Sequence, residues 1–297
     1  MEIFLLADII LASIAAAWLV AATIQDIRKR EVANWLNFSL IAIALAARAI
    51  ASVISWQASY FIYGVAAAAL FFGIANVFYY ARIFAGGDAK LLIALAAAFA
   101  TTPQFIANKA GITMLGNINI PFMGVFLLNM LFIGSIYGIV WSVALAIRHF
   151  KGFKREFKII SRKMKQKKIL FLVLFVLFAI AALSSREAIL AVISAMFLFF
   201  PYLLIFVKAV ENSCMIKDVK PNELTEGDWL FKPIKAGRAV IMPKWEGLNN
   251  KEIALIKRAK IKNIRIKQGL PFVPVFLIAL LISFFANLLI FLVGLFC

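Results

Sequence analysis

Asp26 and Asp88 are the two residues of this chain best placed to do chemistry. Asp26 stands where the first apolar run meets Ile27-Arg28-Lys29-Arg30, and Asp88 follows the pair Gly86-Gly87 at the head of the apolar run Leu91–Ala100. An ionisable carboxylate beside hydrocarbon is costly, which marks each as a candidate functional position. Two carboxylates a few ångströms apart cannot both ionise; they share a proton and titrate as a unit. Such a pair needs neither a metal nor a side-chain nucleophile. The ionised member takes a proton from water while the protonated member hydrogen-bonds the carbonyl under attack, so the chemistry expected is hydrolysis of an amide.

Each aspartate also has a plainer reading. Asp26 can pair with Arg28 or Arg30, and Asp88 can be the N-cap of the helix it precedes. The conjunction favours chemistry: two aspartates expected on one membrane face, a glycine hinge, and no competing acid at similar depth. Asn34 and Gln25 are available to hydrogen-bond near Asp26. Lys90 can tune Asp88 or reach toward headgroups. Asp8 lies 18 residues before Asp26 in the same run, roughly 27 Å along a helix, and cannot join the pair. Glu187 is expected to face outward, Glu31 to pair with Arg28 or Lys29, and His149, the single histidine, to contact headgroups. No Ser, Thr or Cys has a histidine base, and no cluster of His, Cys and acids offers a metal site. Cys214 and Cys297 lack metal-binding spacing and are expected on opposite sides of the membrane, which argues against a disulfide.

The elements that must position the aspartates are membrane helices. Of 297 residues, 64% are hydrophobic, 29 of them Phe, and 15% are charged, a balance foreign to a soluble domain. The formal charge of +18 points to anionic lipid rather than nucleic acid, because the cations lie beside apolar spans. Apolar runs at about 3–24, 36–54, 59–80, 88–100, 121–147, 168–183, 187–207 and 271–296 predict eight spans. The first is read as a span and not as a cleaved signal peptide, because its basic residues follow it. The fourth is short, as suits a helix that begins inside the protein where glycines relax the backbone. With the N-terminus outside, all the Lys and Arg except Arg48, Lys109 and Arg186 fall on the inner side, where the positive-inside rule wants them. Asp26 and Asp88 then share the inner face.

The expected fold is an all-α polytopic membrane protein with a small α+β cytoplasmic domain near the C-terminus. The division is a core at 1–147 carrying both aspartates, a basic segment at 148–168, a transmembrane hairpin at 169–207, a cytoplasmic domain at 208–268 and a last span at 269–297. The loop Thr101–Ile120, with Pro103, Gly111, Gly116 and Asn117, reads as structural turns. In the basic segment, Phe150, Phe153, Phe157 and Ile159-Ile160 interleave with cations, a pattern that suits a helix lying on anionic headgroups; phosphate-rich partners are the alternative. In the cytoplasmic domain, Asn249 and Glu252 form a capping box stapled by Leu248 and Ile253 before a helix running to Lys260. Short strands are expected at Arg238–Met242 and Asn263–Ile266. A domain of this size buries little core and is expected to lean on the membrane part.

Asp26-Ile27-Arg28-Lys29-Arg30-Glu31-Val32-Ala33-Asn34-Trp35 and Gly86-Gly87-Asp88-Ala89-Lys90 resemble the two active-site motifs of the type IV prepilin and preflagellin peptidases, GxGD-type aspartic proteases, in their archaeal branch. Ala33 stands where proline is common, and Ala85 replaces the first glycine of Gly-x-Gly-Asp. The segment Lys267-Gln268-Gly269-Leu270-Pro271-Phe272-Val273-Pro274 before the last apolar run is similar to the C-terminal extension of some archaeal members. The cysteine-rich insert of bacterial relatives, with its N-methylation activity, is absent. The resemblance implies a plasma-membrane aspartic endopeptidase that removes a short basic leader from prepilin or preflagellin precursors. It implies Asp26 and Asp88 as the dyad, Gly86, Gly87, Lys90 and Asn34 in support, and no cofactor. The acids Glu211, Asp218, Glu223, Glu226 and Asp228 are candidates to receive the leader. Two readings compete: an intramembrane protease of the presenilin and signal-peptide-peptidase kind, and a non-enzymatic transporter or scaffold.

Overall fold

The structure, a computed structural model, describes residues 2–81, 83–107, 114–115, 118–237, 239–244, 246–259 and 261–288. Arg82, Lys109, the turn residues Gly111, Gly116 and Asn117, Arg238, Lys260, Cys297 and the end of the last expected span lie outside them. The chain divides into two compact units, 1–138 with 270–297, and 139–269.

The first unit holds α1 (Glu2–Lys29), α2 (Asn34–Ser55), α3 (Ser59–Tyr80), α4 (Gly86–Ala98), the short α5 (Gln104–Ala107), the hairpin β1 (Met114–Leu115) and β2 (Ile118–Asn119), residues 122–138 of α6 (Phe122–Arg148), and α11 (Val273–Ser283). Among the described residues, six helices are long and apolar enough to cross a membrane: α1, α2, α3, α6, α8 (Lys165–Ser185) and α9 (Ala188–Ser213). The protein is an all-α polytopic membrane protein, with six long spans among the described residues where the run lengths predict eight. The other two expected spans are α4 and α11, and both are short. At 1.5 Å per residue α4 is only about 20 Å long. It is also apolar all round, the mark of an enclosed helix. Leu91, Leu92 and Ala94–Ala98 are indeed buried, and α4 packs against both α2 and α3. Its alanines keep those backbones close.

Helix α11 runs beside α1 and ends at Ser283, with a turn at Phe284-Phe285, so the continuous span expected at 271–296 is interrupted. No Gly or Pro marks the break. The cause is Asn129 of α6, fully buried, whose Nδ2 donates to Ser283 Oγ and to the Ala286 carbonyl at 2.9 Å each, while its Oδ1 accepts from Leu288 N–H at 2.9 Å. A side-chain amide thus satisfies the backbone groups that the break would otherwise leave bare in an apolar interior.

Arg48, expected outside the membrane on α2, is instead completely buried. Its Nη1 donates to the Tyr60 carbonyl at 2.9 Å, and Nη2 donates to the Ala98 carbonyl at 3.0 Å and Thr101 Oγ1 at 3.1 Å. Gly64 makes room for it, because a Cβ there would stand 2.7 Å from Arg48 Cδ. Asp8 belongs to the same network, accepting from Tyr60 O–H at 2.6 Å and Gln104 N–H at 2.9 Å. As Ala98 ends α4 and Asp88 opens it, this network sits at the far end of α4 from Asp88.

In the second unit, α7 (Phe150–Lys163) is strongly amphipathic, as its sequence requires, but its apolar stripe has a protein partner. Phe153, Phe157, Ile160 and Met164 pack on Leu204, Ile205 and Ala209 of α9, where the sequence pattern suggested lipid. Lys151, Lys154, Arg155 and Lys158 remain exposed on the other side. Beyond α9, β7 (Ile264–Lys267) is flanked by antiparallel β3 (Ile216–Val219) and β4 (Trp229–Leu230), and β5 (Ile234–Ala236) pairs with β6 (Ala239–Ile241). Helix α10 (Asn250–Arg258) starts at the expected capping box and lays Ile253 and Ile256 on a core with Leu230, Ile241, Leu248, Ile264 and Ile266. His149, Glu31 and Glu187 are exposed, and Cys214 is buried with a free thiol.

Candidate active site

Asp26 lies in the last turn of α1, which ends because Arg30 takes a left-handed conformation (φ 60°) while its N–H still closes onto the Asp26 carbonyl at 2.8 Å. The chain then turns through Glu31, Val32 and Ala33 into α2, and Gln25 Oε1 fixes that turn by accepting from Ala33 N–H at 3.1 Å. Asp88 sits at the third position of α4, not at its N-cap, a place held by Ala85. An alanine has no acceptor to offer, so only half of a capping box forms: Asp88 Oδ2 accepts from Ala85 N–H at 3.2 Å. Both carboxylates are buried, at 6% and 9% exposure.

The two motifs are in direct contact. Gly87 packs against Val32, so closely that a Cβ at 87 would lie 3.3 Å from Val32 Cβ and 3.6 Å from its backbone nitrogen. Asn37 Nδ2 reaches the Gly87 carbonyl at 3.4 Å, a long bond, from a fully buried position on α2. Lys90 Nζ donates to Asn34 Oδ1 at 2.7 Å. Thus Asn34, expected beside Asp26, serves Lys90, and Lys90 reaches the first motif instead of open headgroups. Asp88 lies near enough to Asp26 to feel its charge. Arg30 and Tyr137 stand close enough to interact electrostatically with Asp26.

One group of contacts was not visible in the motifs. Val273 N–H, at the start of α11, donates to Asp26 Oδ2 at 2.9 Å. The preceding residue, Phe272, lays its ring 5.8 Å from Phe84, the buried residue just before Ala85. Backbone donors carry no residue identity, and Val273 is 247 positions from Asp26; only the proline-flanked run before the last apolar stretch pointed to that region.

Among the described residues no group of His, Cys, Asp and Glu can hold a metal ion. The five acids considered for leader capture all have partners within the second unit. Glu211 meets Lys267 at 2.7 Å and Asp218 meets Arg265 at 3.3 Å. Glu226 accepts from Asn250 Nδ2, Glu223 from Lys220 N–H, and Asp228 from Thr225 N–H.

An arrangement of two buried carboxylates on motifs that touch is suited to polarising water and a carbonyl together. No curated protein and no solved structure matches the chain. Residues 13–143, a stretch that includes Asp26, Asp88 and every contact between the two motifs, match the model of the type IV leader peptidase family.

Proposed function

We propose that this multi-pass membrane peptidase is of the aspartic type and uses Asp26 and Asp88 as its dyad. Its substrates are pilin-class precursors, prepilin or preflagellin, cut between a short basic leader and the apolar helix that follows. The ionised carboxylate removes a proton from water as the water oxygen bonds to the scissile carbonyl carbon, and the protonated carboxyl passes its proton to the carbonyl oxygen. The tetrahedral diol then collapses: the C–N bond breaks, one carboxyl protonates the departing nitrogen, and the other takes a hydroxyl proton, which restores the pair.

The reading rests on one observation above the rest. The Val32–Gly87 packing and the Asn34–Lys90 bond join the aspartate at the end of α1 to the aspartate at the head of α4. A plasma-membrane location with the N-terminus outside puts that junction at the cytoplasmic face, where the cation distribution is heaviest and where a precursor's leader meets its membrane helix. The exposed lysines of α7 then face anionic headgroups.

The test is incubation of the full-length protein in liposomes with a synthetic precursor, a short basic leader joined to an apolar helix, followed by mass measurement of the products. Wild type releases the leader; Asp26→Asn and Asp88→Asn each release none. Full cleavage by either variant overturns the dyad, and cleavage inside the apolar helix selects the intramembrane-protease alternative.

A further inference from the structure

We propose that the turn Pro271-Phe272-Val273-Pro274 is a positioning element of the peptidase: its Val273 N–H grips the Asp26 carboxylate, and its Phe272 ring ties that grip to the residues that lead into the helix carrying Asp88. The inference deepens the dyad reading and rests on it. The four residues of the turn lie outside the matched stretch 13–143.

Prolines on either side leave this turn just two N–H groups, those of Phe272 and Val273, and that of Val273 donates to Asp26. The bond from Val273 to Oδ2 is 2.9 Å long and buried. These N–H groups belong to the first turn of α11, where they have no partner inside the helix and where the helix dipole favours an anion. Asp26 supplies the missing acceptor from another helix. With Oδ2 tethered, rotation of the carboxyl is restricted and Oδ1 is presented in one direction, the kind of fixation that lowers the cost of reaching a reactive geometry.

Phe272 reaches the other half of the site. Its ring lies among Phe84 and Phe276, with centroids 5.8 and 6.0 Å away, and Phe84 itself is 5.7 Å from Phe276. On its far side Phe272 abuts Gly134 of α6, where a Cβ would come within 2.8 Å of Phe272 Cζ and 3.1 Å of Cε2. The ring is therefore wedged. Phe84 is followed at once by Ala85, whose N–H bonds Asp88. Through two rings and one turn, the groove left by Gly134 sets where Asp26 stands relative to Asp88.

The test uses the full-length protein in liposomes with the same synthetic precursor. Valine at 273 is replaced by its α-hydroxy acid analogue, which turns the amide into an ester and deletes the N–H with almost no change of shape. The expected result is a kcat about 10-fold lower, the scale of one lost bond to a charged acceptor, with KM within 2-fold and an unchanged melting temperature. In parallel, Phe272→Leu, which removes the ring, and Gly134→Ala, which pushes on it, each lower kcat with KM within 2-fold. A wild-type kcat in the ester variant or in Phe272→Leu overturns the proposal. If Asp26→Asn is inactive while the ester variant is fully active, the dyad stands and only the positioning role falls. Full cleavage by Asp26→Asn removes both.

Discussion

Lys90 Nζ donates to Asn34 Oδ1 at 2.7 Å, so the last residue of the second aspartate motif is hydrogen-bonded to the first. Fifty-six positions separate them, and among the described residues neither is hydrogen-bonded to a carboxylate. The pair acts as a strap between the start of α2 and the first turn of α4.

If the strap holds the two motifs in register, Lys90→Met and Asn34→Ala should each lower cleavage several-fold, and the double variant should be little worse than either. A double-mutant cycle on kcat/KM is expected to give a coupling of about 1 kcal/mol, the usual size for a partly exposed bond of this kind. Strictly additive losses would mean that the two residues act separately.

The two glycines before Asp88 should respond differently to a methyl group. At Gly86 a Cβ meets nothing nearer than the Tyr79 ring at 3.9 Å, so Gly86→Ala should cleave nearly as well as wild type. At Gly87 it meets Val32 at 3.3 Å, against backbone that has little freedom to move, and Gly87→Ala should cost about 10-fold or more. Trimming the neighbour in Val32→Ala together with Gly87→Ala should recover little of the loss, because alanine keeps the Cβ and the backbone nitrogen that the new methyl meets. Initial rates of leader release for the three variants decide the matter.

Much of this site was legible because its residues announce their chemistry: two acids at the ends of apolar runs, a glycine pair, a lysine and an asparagine. The contacts between them followed from packing that those residues permit. What escaped the sequence was set by partners far away in it. Arg48 sits in a run whose composition says only that it is apolar, and its burial depends on carbonyls of Tyr60 and Ala98 from two other helices. The break after Ser283 carries no Gly or Pro, because the residue that stabilises it is Asn129. The stripe on α7 was read correctly as amphipathic, but periodicity does not say whether lipid or α9 will cover it.

The buried arginine leads to a stability prediction. Arg48→Met keeps most of the volume but leaves the Ala98 and Tyr60 carbonyls and the Thr101 hydroxyl without their donor, and removes the cation nearest the buried Asp8. Losing one member of a buried charged network typically costs about 3–5 kcal/mol. The variant should melt well below wild type in detergent. Gly64→Ala, which pushes on Arg48 Cδ, should lower the melting temperature by less, because the arginine side chain can shift. A wild-type melting curve for Arg48→Met would assign the network no structural role.

In the second unit, the capping box of α10 separates a pH-dependent contribution from a pH-independent one. Asn249 Oδ1 accepts from Glu252 N–H at 2.8 Å, and Glu252 returns the bond to Asn249 N–H at 3.1 Å while its other oxygen meets Lys244 at 2.7 Å. The Lys244 ammonium holds the Glu252 carboxyl below its usual 4.5. A carboxyl depressed in the folded state stabilises above its unfolded value and loses that contribution as pH falls through the folded value. Glu252→Gln should therefore weaken protection of the amides in 250–258 at neutral pH, and the difference from wild type should shrink steadily below about pH 4.5, where the unfolded carboxyl begins to take up its proton. Asn249→Ala removes a cap that does not titrate, and its loss of about 1 kcal/mol should be the same at every pH. Hydrogen exchange of both variants beside wild type at each pH distinguishes the two, and a Glu252→Gln effect that persists unchanged in acid would show that the carboxylate charge contributes nothing to the helix start.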